Sequence, residues 1–395
     1  MLDTLVVIAI VAALAPIVVD LPARIRLPVV VVEVLLGILV GPDVLDIAKQ
    51  GAIVDFLSTL GLAFLFFLAG VEIEFERVRG RPARLGAVGW LVSVALGLSI
   101  GALLEAIGFV LDWDLVGFAL CTTALGTLMP ILRDEGELET RFGSYVVGIG
   151  TCGEFGPIVA VSLFFGAHRT AASALLLVAF AAIAVGAALV AMRARPRRIT
   201  RLIAETMETS AHLAVRLSLL VLIVLVYFAE KFGLDLILGA FAAGVVVGLV
   251  AHTERAEPLR AKLEGIGYGF VIPIFFVVSG ISFNVDALFE SATTILRLPA
   301  FLGLFLLVRG LPVLLFYRRD LPRELAPLAL YSATALPLVI AITQIGLDTG
   351  RMRPENAAAL VGAGMVSVFA FPLTALTLRR RQPRQVPAGE SAASA

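Results

Sequence analysis

The chain has 395 residues, of which 59% are hydrophobic and 16% charged. Soluble domains are usually about a quarter charged, so this composition and a mean hydropathy of +1.00 exclude a soluble enzyme and indicate a polytopic membrane protein. The 31 basic and 31 acidic residues cancel, which leaves no basic surface for nucleic acid.

Apolar runs separated by charged and turn residues predict thirteen transmembrane helices, and therefore an all-α membrane protein. The predicted spans are short, and the loops between them leave little room for a soluble domain. In chain order the spans are 4–19, 28–41, 52–71, 86–104, 115–131, 143–166, 172–192, 217–230, 234–250, 265–283, 298–316, 325–346 and 356–378.

Basic residues are unevenly distributed among the loops. Loops after odd-numbered spans, together with the C-terminal segment, hold 24 of the 31 basic residues, and loops after even-numbered spans hold 6. By the positive-inside rule this predicts an outside N-terminus and a cytoplasmic C-terminus. The acidic residues of 134–139 are expected to form a solvated cytoplasmic connection.

Three short patterns recur along the chain at offsets of 202, 209 and 211 residues. The pairs are Leu36-Gly37 with Leu238-Gly239, Phe66-Phe67 with Phe275-Phe276, and Thr123-Ala124-Leu125 with Thr334-Ala335-Leu336. Each pair is seven spans apart, so its two copies cross the membrane in opposite directions, as in secondary transporters. We therefore expect a first inverted repeat with a linker helix (1–192), a cytoplasmic loop (193–214), a second six-helix repeat (215–379) and a disordered cytoplasmic tail (380–395).

Thr, Gly and Pro interrupt the apolar runs of spans 5 and 12. We expect helix breaks at Gly126, Pro130 and Pro337, and we expect the two broken helices to cross near the bilayer midplane. The freed carbonyls and the hydroxyls of Thr122 and Thr123 are oxygen ligands suited to a monovalent cation. An ordinary proline kink is the alternative interpretation.

Three ionisable residues are predicted at membrane depth. Glu154 and Arg309 both lie about 18 Å from the ends of their spans, and such residues usually pair, face a cavity or carry function. Glu154, within a glycine-rich stretch, can bind a proton or a cation in turn. Arg309 stays protonated and would be a fixed compensating charge, although a structural Glu154–Arg309 ion pair remains an alternative. Glu33 is expected to act in packing or gating.

Five stretches together resemble a known family, the monovalent cation/proton antiporters of the second cation–proton antiporter family, which includes bacterial Na⁺/H⁺ and K⁺/H⁺ exchangers. The resemblance covers spans 2–13. The stretches are 28–42, 64–79, 122–143, 272–288 and 336–360.

The resemblance implies roles for particular residues. The family's ion-binding carboxylate matches Glu154, its basic residue matches Arg309, and the residues of its first helix break match Thr122 and Thr123. The family usually has Asp preceded by Asp, Asn or Gln, where this chain has Gly153-Glu154. The resemblance also implies a homodimer in a bacterial inner membrane, with spans 1–3 and 8–10 as a scaffold and spans 4–6 and 11–13 as a moving core.

The predicted function is exchange of Na⁺ or K⁺ for H⁺ by alternating access, without a cofactor and without enzymatic activity. Because Glu154 carries one proton or one monovalent cation, the exchange is expected to be electroneutral. A sodium-coupled organic-anion symporter of similar architecture and a non-transporting membrane sensor or scaffold are the alternatives. An intramembrane enzyme is disfavoured because His168, His212 and His252 lie in loops or at span ends.

Overall fold

The structure is a computed structural model. Apart from the isolated positions 182 and 186, it describes residues 2–20, 28–72, 80–165, 212–251, 257–290 and 292–380, and all regular structure in these ranges is helical. Nine of the helices are long and apolar enough to cross a membrane, and three shorter apolar helices accompany them in the described part of the chain.

The first half of the described chain contains seven helices, most of them apolar along their whole length. They are α1 (Leu2–Asp20), α2 (Val29–Val40), α3 (Ala52–Val71), α4 (Arg81–Ala106), α5 (Trp113–Leu120), α6 (Leu125–Asp134) and α7 (Arg141–Phe165).

The second half contains ten α-helices and two π-helical turns. They are α8 (Leu213–Lys231), α9 (Leu236–Ala251), α10 (Glu257–Ile266), π1 (Gly267–Val271), α11 (Ile272–Ile281), α12 (Val285–Phe289), α13 (Ala292–Phe305), π2 (Leu306–Gly310), α14 (Leu311–Phe316), α15 (Leu325–Ser332), α16 (Pro337–Asp348) and α17 (Pro354–Arg380).

These helices cover every predicted span except 172–192, which lies outside the described residues. The predicted loop 193–214 lies almost wholly outside them, and so does nearly all of the predicted tail 380–395. Two features were not predicted. The short helix α12 follows Asn284, whose side chain accepts a hydrogen bond from the Ala287 N–H at 2.7 Å. The π-turns each precede a proline, Pro273 or Pro312, by two residues. A proline ring clashes with the carbonyl four residues earlier, and a wider turn relieves the clash.

Glycine pairs bring two sets of helices into backbone contact. A Cβ added to Gly37 of α2 would lie 2.2 Å from the Val277 carbonyl oxygen on α11, and one added to Gly280 of α11 would meet the Val34 oxygen on α2 at the same distance. In the same way, Gly70 of α3 and Gly244 of α9 face each other's helix backbone. Only glycine allows so close an approach.

Arginine side chains join the two halves of the chain at one end of the bundle. Arg351, which precedes α17, hydrogen-bonds with Asp112 and, at 2.9 Å, with Asp114 at the start of α5. The guanidinium of Arg297 on α13 donates to the side-chain oxygen of Asn356 on α17 at 2.6 Å. The contacts of Arg351 therefore fix the second half of the chain to the start of the first broken helix, and the contact of Arg297 joins two helices within the second half.

The opposite end carries a second set of such contacts. Arg379 donates at 2.6 Å to both Glu137 and Glu324, and its guanidinium lies 3.9 Å from the centre of the Phe142 ring. Arg380 donates to Glu135 at 2.6 Å. Glu135 and Glu137 therefore do not form the purely solvated connection expected from the sequence, because the end of α17 supplies counter-charges that local sequence does not reveal.

These two neighbouring arginines provide a matched stability test. The Arg379 side chain is 15% exposed and has two carboxylate partners, whereas that of Arg380 is 70% exposed and has one. Arg379→Gln leaves two half-buried carboxylates without a charged donor, so we expect it to destabilise the protein by about 1.5–3 kcal/mol. Arg380→Gln should cost no more than about 1 kcal/mol. Thermal melting of the detergent-solubilised protein measures both, and equal shifts would contradict the assignment.

Candidate functional site

Two interrupted helices meet inside the bundle. The break between α5 and α6 covers residues 121–124, and the break between α15 and α16 covers residues 333–336. The N–H of Ala124 donates to the carbonyl of Thr334 at 2.8 Å, which joins the two breaks directly. The N–H of Thr123 donates to the Gly153 carbonyl on α7 at 2.8 Å, and Ser367 on α17 accepts from the N–H of Ala335 at 3.0 Å. Each break is thus anchored on the long helix that follows it.

The positions of the breaks differ in part from those expected. Pro337 is the first residue of α16, so the second break ends where it was predicted. Gly126 and Pro130, by contrast, lie within α6, and the first break ends at Ala124. The first break lies at 121–124 because its backbone N–H groups hydrogen-bond with acceptors on α7 and in the second break, which are distant in the sequence.

The two threonines of the first break are both buried and both hydrogen-bonded. The Thr122 hydroxyl donates to the Ala119 carbonyl at 2.9 Å, which satisfies the last turn of α5. The Thr123 hydroxyl donates to the Ser332 carbonyl at 2.5 Å and accepts from Nε of Arg309 at 2.9 Å. In this arrangement Thr123 fixes Arg309 to the crossing, and its role as a cation ligand stays a prediction.

Arg309 is 2% exposed, and within the described part of the chain its guanidinium makes hydrogen bonds only to uncharged oxygen atoms. Besides Thr123 Oγ1, it donates to the carbonyls of Ser332 and Ile149 at 3.3 and 3.2 Å, and to Ser93 Oγ on α4 at 3.2 Å. Arg309 belongs to the π2 turn. Its guanidinium lies between the first break and the helices α4, α7 and α15. Among the described residues Glu154 and Arg309 form no ion pair, so the alternative of a structural pair finds no support.

Gly153 explains how the guanidinium fits next to Glu154. A Cβ on Gly153 would lie 2.3 Å from Nη2 of Arg309 and 2.5 Å from Oγ1 of Thr123. Neither atom could stay in place beside a larger residue. Arg309 therefore occupies the space that a side chain at position 153 would need.

Glu154 is 8% exposed and lies on α7, facing the start of α6. The backbone N–H groups of Leu125 and Gly126, the first two residues of α6, lie close to its carboxylate. A helix N-terminus has unpaired N–H groups and a partial positive charge, which stabilise the ionised carboxylate at depth. The structure thus brings Glu154, Gly153, Thr123 and Arg309 together at the helix crossing.

Two further carboxylates differ in their relation to this crossing. Glu33 is buried on α2, which packs mainly on α1 and α11, so its expected gating role stays a prediction. Glu72, directly after α3, was not singled out from the sequence, yet its carboxylate lies near both Glu154 and Tyr268 of π1. The sequence feature that could have identified Glu72 is its position directly after an apolar span.

Comparison with known proteins adds to this geometry. Residues 8–378 match the sequence family described as "Sodium/hydrogen exchanger, transmembrane". The chain belongs to this family. The matched region includes all of the helices that build the crossing.

Individual members of the exchanger family show the extent of the similarity. YjbQ of Bacillus subtilis is 27% identical over 396 residues, which cover 96% of this chain and 63% of YjbQ. The Na⁺/H⁺-K⁺ antiporter GerN of Bacillus cereus is 25% identical over 300 residues, which cover 71% of each chain. The chain spans less than two thirds of YjbQ.

A solved exchanger structure has the same fold. The sodium proton antiporter MjNhaP1 from Methanocaldococcus jannaschii superposes with a TM-score of 0.63, at 16% identity, over 95% of both chains. At this level of identity the likeness shows the architecture alone. It is the architecture expected from the sequence, an all-α membrane protein with crossed broken helices.

Proposed function

We propose that this exchanger-family protein exchanges a monovalent cation, Na⁺ or K⁺, for H⁺ by alternating access, and that Glu154 binds the two ions in turn. The observation that carries the proposal is the buried Glu154 carboxylate at the crossing of two broken helices. Membership of the family and the similarity to the Na⁺/H⁺-K⁺ antiporter GerN support the choice of ions.

The local chemistry suits competition between the two ions. The N–H groups of Leu125 and Gly126 stabilise the ionised carboxylate, so the bare site can exist between proton release and cation binding. The Arg309 guanidinium bonds to neutral oxygens and keeps its charge throughout. Glu154 then carries one proton in one direction and one monovalent cation in the other, so we expect electroneutral 1:1 exchange.

Cation-driven proton release in vesicles containing the purified protein tests this proposal. With a pH-sensitive dye inside, addition of Na⁺, Li⁺, K⁺ or Rb⁺ outside should produce an alkaline shift for at least one of the four cations. A labelled organic anion serves as the competing substrate. Anion uptake without cation-driven proton movement would favour the symporter, and the absence of both would favour a non-transporting sensor.

The moving parts and the assembly belong to the same proposal. We infer two inverted repeats, because the glycine contact between α2 and α11 corresponds to the one between α9 and α3 when the two halves are exchanged. In addition, each break is anchored on a long helix of its own half, α7 or α17. Helices α1–α3 and α8–α11 would form the scaffold of a homodimer in the bilayer. Helices α4–α7 and α13–α17, held together by Arg351 and Arg379, would move as the core.

We propose that the N-terminus lies outside and the C-terminus in the cytoplasm, on the basis of the 24 basic residues against 6. A single cysteine replacing Lys49 should react with an impermeant thiol reagent added to intact cells, and one replacing Arg319 should not. The background lacks Cys121 and Cys152. The reverse pattern of labelling would overturn this orientation.

A further inference from the structure

A small cavity lies against Arg309, on the side formed by α4 and α14. Its walls include Gly89, Trp90, Arg309 and Tyr317, and it has room for about one water molecule. Two buried polar atoms of these walls, Nε1 of Trp90 and the hydroxyl oxygen of Tyr317, have no hydrogen-bond partner among the described residues. Tyr317 is 1% exposed, so bulk water does not satisfy its hydroxyl.

The donors and acceptors of this cavity match those of water. An indole N–H can only donate, a guanidinium can only donate, and a tyrosine hydroxyl can accept. A water molecule accepts two hydrogen bonds and donates two. It can therefore accept from Trp90 and Arg309 and donate to Tyr317, which satisfies both unpaired atoms at once.

We propose that one water molecule is bound between Trp90, Tyr317 and Arg309, and that these two aromatic residues position the guanidinium against Gly153, the residue before Glu154, through it. The consequence for transport rests on the proposed exchange function. The water site itself rests on the cavity and on the two unpaired atoms that line it.

Trp90 also connects the cavity to the helix that carries Glu154. A Cβ on Gly156, two residues after Glu154, would lie 2.3 Å from Cε2 of the Trp90 ring, so the indole packs flat on this part of α7. On the same helix, Gly153 abuts Nη2 of Arg309. A shift of the guanidinium would therefore change the packing on the turn of α7 that carries Glu154.

Two variants remove the water in different ways. In Gly89→Ala the new methyl group would lie 3.8 Å from Cβ of Pro312 and 4.0 Å from Cε2 of Tyr317, which is ordinary contact, so the chain should fold while the methyl occupies the cavity. Tyr317→Phe keeps the ring and removes the hydroxyl that receives the water's hydrogen bond. Gly303→Ala is the matched control, because Gly303 is an exposed glycine of α13 with no atom within 4 Å of an added Cβ.

We expect both variants to keep the thermal stability of the wild type and to change the cation concentration for half-maximal exchange at least about threefold. The double variant should show no more than the larger single effect, because both changes remove the same water. The control should behave as the wild type. Unchanged exchange in both single variants, or effects that multiply fully in the double variant, would overturn the positioning role.

A cryo-electron microscopy map that resolves ordered water tests the site independently of transport. The wild type should show a density peak within hydrogen-bonding distance of Trp90 Nε1, the Tyr317 hydroxyl and the guanidinium, and Gly89→Ala should lack it. A wild-type map without this peak would overturn the water site. If the wild type does not exchange ions but shows the peak, the proposed function fails and the water site stands.

Discussion

Glu154→Gln should reduce cation-driven proton release to the level of vesicles without protein. The amide has nearly the same shape as the carboxyl group, and its oxygen can still accept from the N–H groups of Leu125 and Gly126, so we expect normal insertion and folding. The amide cannot take up a proton or neutralise a cation, however. Both loaded states of the cycle are lost together.

Two further variants show that the carboxylate itself is required. Glu154→Asp keeps the charge, so it should retain measurable exchange with an altered apparent affinity for the cation. Glu105→Gln neutralises an exposed carboxylate near the end of α4 and should leave exchange unchanged. Wild-type rates in Glu154→Gln, measured in the same vesicles, would remove Glu154 from the proposed mechanism.

Gly153→Ala should impair both folding and exchange. The added methyl group would lie 2.3 Å from Nη2 of Arg309 and 2.8 Å from Cβ of Thr123, so the guanidinium, the threonine or both must move. Overpacking of this kind costs about 1–3 kcal/mol. If that cost falls on the active arrangement, exchange slows by roughly tenfold for each 1.4 kcal/mol. Melting temperature and exchange rate are the two readouts.

Matched variants separate this local clash from a general effect of alanine in a helix. Gly265→Ala on α10 is a suitable control, because Gly265 is exposed and has no atom within 4 Å of an added Cβ. In a Gly153→Ala background, Arg309→Lys removes the Nη2 atom and should restore part of the lost stability. Full wild-type behaviour of Gly153→Ala, or no recovery with Arg309→Lys, would contradict the described contact.

Hydropathy predicted the helices well because bilayer thickness sets their length and composition. The span 52–71 matches α3 residue for residue, and the buried positions of Glu154 and Arg309 followed from their places within apolar runs. The Thr, Gly and Pro residues that interrupt spans 5 and 12 also indicated the two segments in which the breaks lie, and Ala124 and Thr334 join these segments in the structure.

The position of the first break and the partners of Arg309 depend on residues that are distant in the sequence. The first break lies before Gly126 and Pro130 because Gly153 and Thr334 accept the N–H groups of Thr123 and Ala124. No local pattern indicates such distant acceptors. The partners of Arg309 likewise come from four separate elements, so its guanidinium lies among neutral oxygens and not in the ion pair that was the alternative interpretation. The role of Gly153 followed only from the position of this guanidinium.

The measurement that tests the central claim most directly is cation-driven proton movement in vesicles held at different membrane potentials. If one carboxylate carries either one proton or one monovalent cation, no net charge crosses per cycle. Each extra charge would add about 2.3 kcal/mol of driving force per 100 mV. We predict that, with the pH gradient set to zero, an imposed potential drives no cation accumulation and does not change the direction of exchange. Accumulation of the cation driven by the potential would contradict a cycle built on Glu154 alone.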